Sequence, residues 1–256
     1  MRISVIGAGY AGFCTALGFA LKGHEIVCVD IDKKKVESIN SGSAPIYEKD
    51  VERALRKSLK NKLISASTEI DEKSDFYFIA VQTPDKNGID LSHVRNVTEN
   101  LAYLLKKSSG YKLIVMKSTV MPGTTESIIP LLEESGKKVG KNFGVTTNPE
   151  FLREGSALED FLKPDRIVIG EHDKKSGDML ENLYKDFNAP IIRTNLRTAE
   201  MIKYASNAFL AAKISFINEI GNYCKILGID TYEVAEGVGY DKRIGVHFLN
   251  AGIGFG

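Results

Sequence analysis

Six residues near the start constrain this chain more than anything else in it. Gly7-Ala8-Gly9-Tyr10-Ala11-Gly12 follows the apolar run RISVI (2–6) and leads into an apolar stretch reaching about Lys22; HEIVCVD then ends on Asp30. Glycines in a G-x-G-x-x-G pattern are a weak signal alone. Set between a strand and a helix, with an acid closing the next strand, they specify a βαβ unit that cradles a dinucleotide. Gly7 allows the tight turn, Gly9 admits the pyrophosphate, Gly12 lets helix pack on strand, and the helix N-terminus faces the phosphates. Asp30 would hydrogen-bond the adenosine ribose hydroxyls and repel a 2′-phosphate, favouring NAD over NADP. The plain alternative for Asp30 is a turn acid at a strand end. Lys33-Lys34-Lys35 read as the solvated opening of an amphipathic helix.

The alternation continues along the chain. FYFIAV (76–81), KLIVM (112–116), FGVTT (143–147), RIVIG (166–170) and PIIR (190–193) read as strands, with helices at 92–107, 124–135 and 174–187. Such alternation implies an α/β fold: a Rossmann-type, doubly wound parallel sheet. Ligands of such sheets lie beyond the carboxyl ends of the strands, which draws attention to Thr83-Pro84, Ser118-Thr119 and Asn148-Pro149-Glu150. From Leu196 the pattern becomes one long helix to about residue 227, too long for a crossover. This divides the chain into a dinucleotide-binding domain (1–195) and part of a helical central or dimerisation domain (196–256). The apolar residues of the long helix point to a homodimer.

Composition excludes several classes. Lys+Arg 34 against Asp+Glu 33 leaves a net charge of +1, which offers no surface for nucleic acid or anionic membrane. No apolar run is long enough to span a bilayer. Cys14, Cys28 and Cys224 are scattered among apolar neighbours without a CxxC or a histidine cluster. They read as small core residues in a reducing cytoplasm, and no metal site is expected.

Two short stretches could carry chemistry. In NPEFLREG (148–155), Asn148-Pro149 reads as a helix N-cap and first turn, which would set Glu150 and Glu154 four apart on one helical face. Such carboxylates could divide labour between general base and ligand contact, or be a capped, solvated helix start. In IKYASNAF, Lys203 and Asn207 lie one turn apart among apolar residues. They could stabilise an oxyanion, or Lys203 could simply snorkel; spacing leaves both readings open.

Resemblance separates these readings. GAGYAG with Asp30, STVMPGTT (118–125), NPEFLREG…DF…PDRIVIG (148–170), AEMIKYASNAFLAAKISFINEI (199–220) and RIG…FLNAGIGFG together resemble the UDP-glucose 6-dehydrogenase family, within the wider UDP-glucose/GDP-mannose dehydrogenase group. The PDRIVIG form is more similar to the UDP-glucose members. The resemblance implies oxidation of a sugar-nucleotide C6 alcohol to a carboxylate with two NAD, through a cysteine thiohemiacetal and thioester. It implies that Lys203 and Asn207 stabilise oxyanions, Glu150 is the base in hydrolysis, and Thr119 positions water and cofactor. NAD would lie on Gly7, Gly9, Tyr10, Ala11, Gly12, Asp30, Lys35, Thr83, Thr119 and Glu154. The nucleotide sugar would touch Glu150, Phe151, Leu152, Arg153, Glu154, Lys203 and Arg243, together with Phe248, Leu249, Asn250, Ala251 and Gly252 in the loop that runs to Gly256.

In the family the nucleophilic cysteine follows a segment like GIGFG, and none of the three cysteines here matches that place. The expectation is therefore an N-terminal part of such an enzyme, inactive alone, whose partner could be a separate C-terminal half. Three other readings stand beside it. One is a GDP-mannose or other nucleotide-sugar 6-dehydrogenase, and another is a non-catalytic NAD-binding or assembly module. The third, a β-hydroxyacid dehydrogenase, is opposed by NPEFLREG and STVMPGTT.

Overall fold

The computed structural model describes residues 1–84 and 88–253. The chain divides into two compact units, Met1–Met201 and Ile202–Gly256. The first is built on eight strands: β1 (Arg2–Ile6), β2 (Glu25–Val29), β3 (Ile64–Ser67), β4 (Phe76–Ile79), β5 (Lys112–Met116), β6 (Phe143–Thr147), β7 (Ile167–Glu171) and β8 (Ile191–Asn195). Between them run α1 (Tyr10–Leu21), α2 (Lys33–Asn40), α3 (Val51–Lys60), α4 (Ser92–Lys107), α5 (Thr124–Ser127), α6 (Ile129–Glu133), α7 (Ala157–Leu162) and α8 (Lys174–Leu183). Helix α9 (Leu196–Leu227) crosses from the first unit into the second, where α10 (Thr231–Gly239) follows.

The sheet order is β3-β2-β1-β4-β5-β6-β7-β8. The chain winds outward in one direction from β1 through β2 to β3, then returns to β4 on the other side of β1. The strand order therefore reverses between β1 and β4, and the crevice at that point is where such folds take their ligands. Alternate side chains feed two cores. Ile3, Val5, Cys28, Phe78, Leu113 and Val115 pack on the face covered by α1 and α7, whereas Val27, Tyr77, Ile79, Ile114 and Met116 pack on the face covered by α4. Near-continuous apolar runs such as FYFI and KLIVM are what a strand buried on both faces requires.

The sheet departs from the all-parallel expectation at one place. β6 and β7 pair antiparallel, Thr147 opposite Gly170 and Thr146 opposite Glu171, while β7 and β8 are parallel to each other. The connection explains this. Much of it is irregular chain (148–156), and the six residues of α7 advance about 9 Å, short of the roughly 17 Å that a five-residue strand covers. The chain thus enters β7 from the rim where β6 ended.

The expected helix beginning at Asn148-Pro149 does not form. Asn148 is 2% exposed, and its side chain is engaged inward. Its Nδ2 donates to the Val168 carbonyl (2.8 Å), and its Oδ1 accepts from Lys117 Nζ (3.0 Å) and Tyr184 Oη (2.6 Å). It therefore cannot cap a helix. Regular helix starts only at Ala157, so Glu150 and Glu154 do not share a helical face. The helix expected at 124–135 is two short helices meeting at Ile128. The alternation pattern also passed over α3, β3 and α10.

In the second unit Ile217, Ala235 and Leu249 form a small core with Ile220, Val238 and Ala251. Among the described residues no helix is long and apolar enough to cross a membrane.

Candidate functional site

The glycine turn closes as its spacing demands. Gly7 has φ +108°, and a Cβ there would sit 2.4 Å from the Ala80 carbonyl oxygen, so the turn after β1 lies directly against the end of β4. A Cβ on Gly12 would fall 1.9 Å from the Gly7 carbonyl oxygen. Gly9 differs. Nothing lies within 4 Å of its Cβ position, and its φ of −76° suits any residue. Neither packing nor backbone needs glycine at this position, so the open space in front of it is what a ligand would use. Gly9 caps α1 without any side-chain hydrogen bond, leaving the positive end of a twelve-residue helix facing that space.

Asp30, at the end of β2, reaches the same turn. Its Oδ2 accepts from the Ala8 N–H (2.8 Å) and lies 3.5 Å from Lys35 Nζ, while its Oδ1 accepts from the Asp32 N–H (3.0 Å). Across the crevice, Thr83 Oγ1 donates to the Thr119 carbonyl (2.9 Å), and Ser118 Oγ donates to the Val81 carbonyl (2.6 Å). The segments after β4 and β5 are thereby stitched together. The 119–125 segment is also held from α9: the buried Glu200 carboxylate accepts from the N–H groups of Gly123 (2.6 Å) and Thr125 (2.8 Å). Gly7, Gly9, Tyr10, Ala11, Gly12, Asp30, Lys35, Thr83 and Thr119 thus share the rim formed by the ends of β1, β2, β4 and β5.

The segment after β6 joins that rim through Tyr10. The Tyr10 hydroxyl donates to Glu48 Oε1 (2.5 Å) and accepts from the Gly155 N–H (2.7 Å). Burial, and then the hydrogen bond to Glu48, push this phenol up to about 12. Glu150 Oε2 accepts from the Leu152 N–H (2.7 Å), which closes a tight turn. Arg166 stacks on Phe151, 3.9 Å from guanidinium to ring centre, and exposed Arg153 is paired with Asp160 at 2.6 Å. Glu154 is exposed.

In the second unit Lys203 is buried while Asn207, one turn later on α9, is exposed. Arg243 forms an exposed pair with Asp241 (2.6 Å). Phe248 adopts φ +63°, Leu249 turns into the small core, and Gly252 is held at both ends of its amide by Asn218, at 2.7 and 2.8 Å. Asn250 is exposed and Ala251 half-buried. The last three residues of the loop expected to touch the sugar nucleotide, 254–256, lie outside the described residues.

Glu48, Glu200 and Asn218 escaped the sequence reading. Their partners lie far along the chain, and none sits in a recognisable spacing. The cysteines are as expected: all three are buried and free. Burial, followed by the charge of Asp30, pushes the Cys28 thiol up to about 12, and burial raises Cys14 further.

Residues 1–188 match the NAD-binding domain of the UDP-glucose/GDP-mannose dehydrogenase family, and residues 197–256 match its central domain. The chain belongs to this family. It is 45% identical over its whole length to a UDP-glucose 6-dehydrogenase of Bacillus subtilis, covering 56% of that protein. The structure superposes on a UDP-glucose dehydrogenase from Pyrobaculum islandicum with a TM-score of 0.94 and 45% identity, covering all of this chain and 60% of that one. A GDP-mannose dehydrogenase from Pseudomonas aeruginosa, solved as a ternary complex, gives 0.92 and 42%, with 61% of that chain covered. The chain therefore spans about three fifths of the length of the relatives it matches. As in its family, the first domain binds NAD, and the open face of Gly9 beside an uncapped helix fits the pyrophosphate of that cofactor.

Proposed function

We propose that this chain supplies the NAD site and part of the central domain of an enzyme that oxidises the C6 alcohol of UDP-glucose to a carboxylate. The observation that carries the reading is the glycine turn, open at Gly9 and tied to Asp30 through the Ala8 N–H. NAD bound there would supply the hydride acceptor. The residues of this chain do the rest of the work assigned to it. Gly9 and the first turn of α1 hold the pyrophosphate. Asp30, with Lys35 beside it, takes the adenosine ribose. Thr83 and Thr119 line the far side of the crevice, where Thr119 would also orient water.

In the same reading Glu150 removes the proton from that water during hydrolysis, with Glu154 meeting the cofactor. Lys203 donates from its ammonium, and Asn207 from its amide, to oxygen that becomes anionic as C6 changes oxidation state. Phe151, Leu152, Arg153, Arg243 and residues 248–252 would hold the sugar nucleotide. UDP-glucose is preferred to GDP-mannose on the form of PDRIVIG, whose Arg166 stacks on Phe151. The relatives include enzymes named for either sugar nucleotide. We assign residues 1–195 to the cofactor domain and 196–256 to the central domain, which we expect to pair with a second copy along α9.

An aldehyde must become a tetrahedral adduct before it can give up a second hydride, and a thiol supplies that adduct. The buried cysteines described above are poor candidates for it. NADH formation is therefore to be measured with UDP-glucose and with GDP-mannose, for this chain alone and mixed with a polypeptide carrying the downstream cysteine-bearing segment of a relative. Turnover of UDP-glucose only in the mixture is expected. Turnover by this chain alone would show that the nucleophile has been misplaced, and faster use of GDP-mannose would reverse the substrate assignment.

A further inference from the structure

We propose that Glu48 is a positioning residue for the NAD site, clamping the segment that carries Glu154 against the start of α1. Glu48 lies in the irregular stretch between α2 and α3, outside every segment assigned to the cofactor. Its carboxylate accepts three hydrogen bonds: from the Tyr10 hydroxyl (2.5 Å), the Ala157 N–H (2.8 Å) and the Leu158 N–H (3.1 Å). The last two are the first amides of α7. Ser156, the residue before them, makes no capping bond, because its hydroxyl is turned to Asp160 at 3.3 Å. A helix start is thus capped by a carboxylate 109 residues away in the chain.

Tyr10 completes the clamp. It directly follows Gly9, and its hydroxyl passes the contact on by accepting from the Gly155 N–H (2.7 Å). Glu48 therefore fixes three consecutive features relative to one another: the glycine turn, the residue after Glu154, and the first turn of α7. Residues 148–156 contain no regular secondary structure to do this for themselves. A charged acceptor shared by several N–H and O–H donors holds more strongly than a neutral one. Its loss would strip the Ala157 and Leu158 amides of their acceptor and loosen the tie from Tyr10 to residues 153–157, leaving Asp160 and the burial of Ala157 and Leu158 to hold them. A small displacement at a binding constellation is enough to weaken it.

The proposal rests on the reading of residues 7–12 as the NAD cradle, and the experiment separates the two. NAD dissociation constants are measured for the chain with Glu48→Ala, Glu48→Gln, Tyr10→Phe and the Tyr10→Phe/Glu48→Ala pair, together with melting temperatures and amide exchange at Gly155, Ala157 and Leu158. Glu48→Ala is expected to weaken NAD about tenfold, roughly what the loss of a shared charged acceptor represents. Tyr10→Phe is expected to weaken it less. The double variant should be no weaker than Glu48→Ala alone, since both act through one cluster. Glu48→Gln keeps one acceptor oxygen for Tyr10 and Ala157 and should recover part of the affinity. Exchange at Ala157 and Leu158 should speed up in the same order, whereas Gly155, whose acceptor is the Tyr10 hydroxyl, should respond at least as strongly to Tyr10→Phe. Unchanged NAD affinity in Glu48→Ala, with or without a lower melting temperature, overturns the proposal while leaving the cofactor reading intact. Additive losses in the double variant overturn it too. Failure of the unsubstituted chain to bind NAD overturns the cofactor reading and the proposal with it.

Discussion

Gly9 and Gly12 look alike in a pattern, yet they do different things. A methyl group at Gly12 would collide with the turn itself, whereas one at Gly9 would meet only open space. Gly9→Ala is therefore expected to leave unfolding stability within about 0.5 kcal/mol and to abolish measurable NAD binding. Calorimetric titration beside a denaturant curve gives both quantities, and retained affinity would mean that the pyrophosphate lies elsewhere. Tyr10 gives a second test. Its phenol is raised in the folded protein, so the proton is held more tightly there than in the unfolded chain. That contribution to stability is complete below about pH 10, the unfolded value, and is lost as pH rises towards about 12. The stability difference between the natural chain and Tyr10→Phe should shrink across that window. Other tyrosines raised by burial, such as Tyr77 and Tyr184, titrate in both proteins and cancel. Parallel curves would show that the phenol is not held as described. Gly12 and Asp30 were legible in the sequence because their nearest partners, Gly7 and Ala8, lie within one βαβ unit, where spacing dictates geometry. Glu48 was not, since its partners stand 38, 109 and 110 residues away.

Elements were legible where one periodicity dominated. The strands buried on both faces, the long α4 and the whole of α9 follow from apolar pattern alone. The pattern failed where a side chain had a stronger engagement inside the protein than beside its own backbone. Asn148 looks like a helix cap and is instead bonded to Val168, Lys117 and Tyr184. Glu200 is the reverse case, a residue of α9 that caps a different segment. Glu200→Ala would strand the part-buried amide of Gly123 and the buried amide of Thr125, at a cost of about 2–4 kcal/mol. Glu200→Gln keeps one acceptor and should cost about half as much. Chemical denaturation of the three proteins measures this, and a loss under about 0.5 kcal/mol for Glu200→Ala would mean that the 119–125 segment is held by other means.

At the scale of the whole molecule, α9 carries an apolar row that its own unit leaves exposed. Phe209, Phe216 and Tyr223 recur at seven-residue intervals, and Ile226 and Leu227 continue them. Seven residues is two helical turns, so the three rings lie along one face. The structure sorts the apolar residues of the long helix into a buried part and this exposed row. Our proposal is a homodimer, and sedimentation should show a concentration-dependent dimer that Phe216→Glu dissolves. A monomer at high concentration would instead assign the row to a segment of the relatives outside the stretch that matches this chain. The sequence pattern placed a division at Leu196, where the long helix begins; the two compact units part between Met201 and Ile202, inside that helix, where no break in periodicity marks the place.

The reversed direction of β7 has a consequence for anyone wishing to change what this protein accepts. In a doubly wound sheet, specificity is normally altered by replacing residues that follow a strand, since those face the ligand. Here the polarity is inverted at one position: Arg166, which precedes β7, stacks on Phe151, whereas the end of β7 leads away towards His172, whose N–H donates back to the Val145 carbonyl at 3.2 Å. A library aimed at residues 163–166 would sample the rim at which we propose the sugar nucleotide binds. The same effort spent at 172–173 would alter only the far side of the sheet.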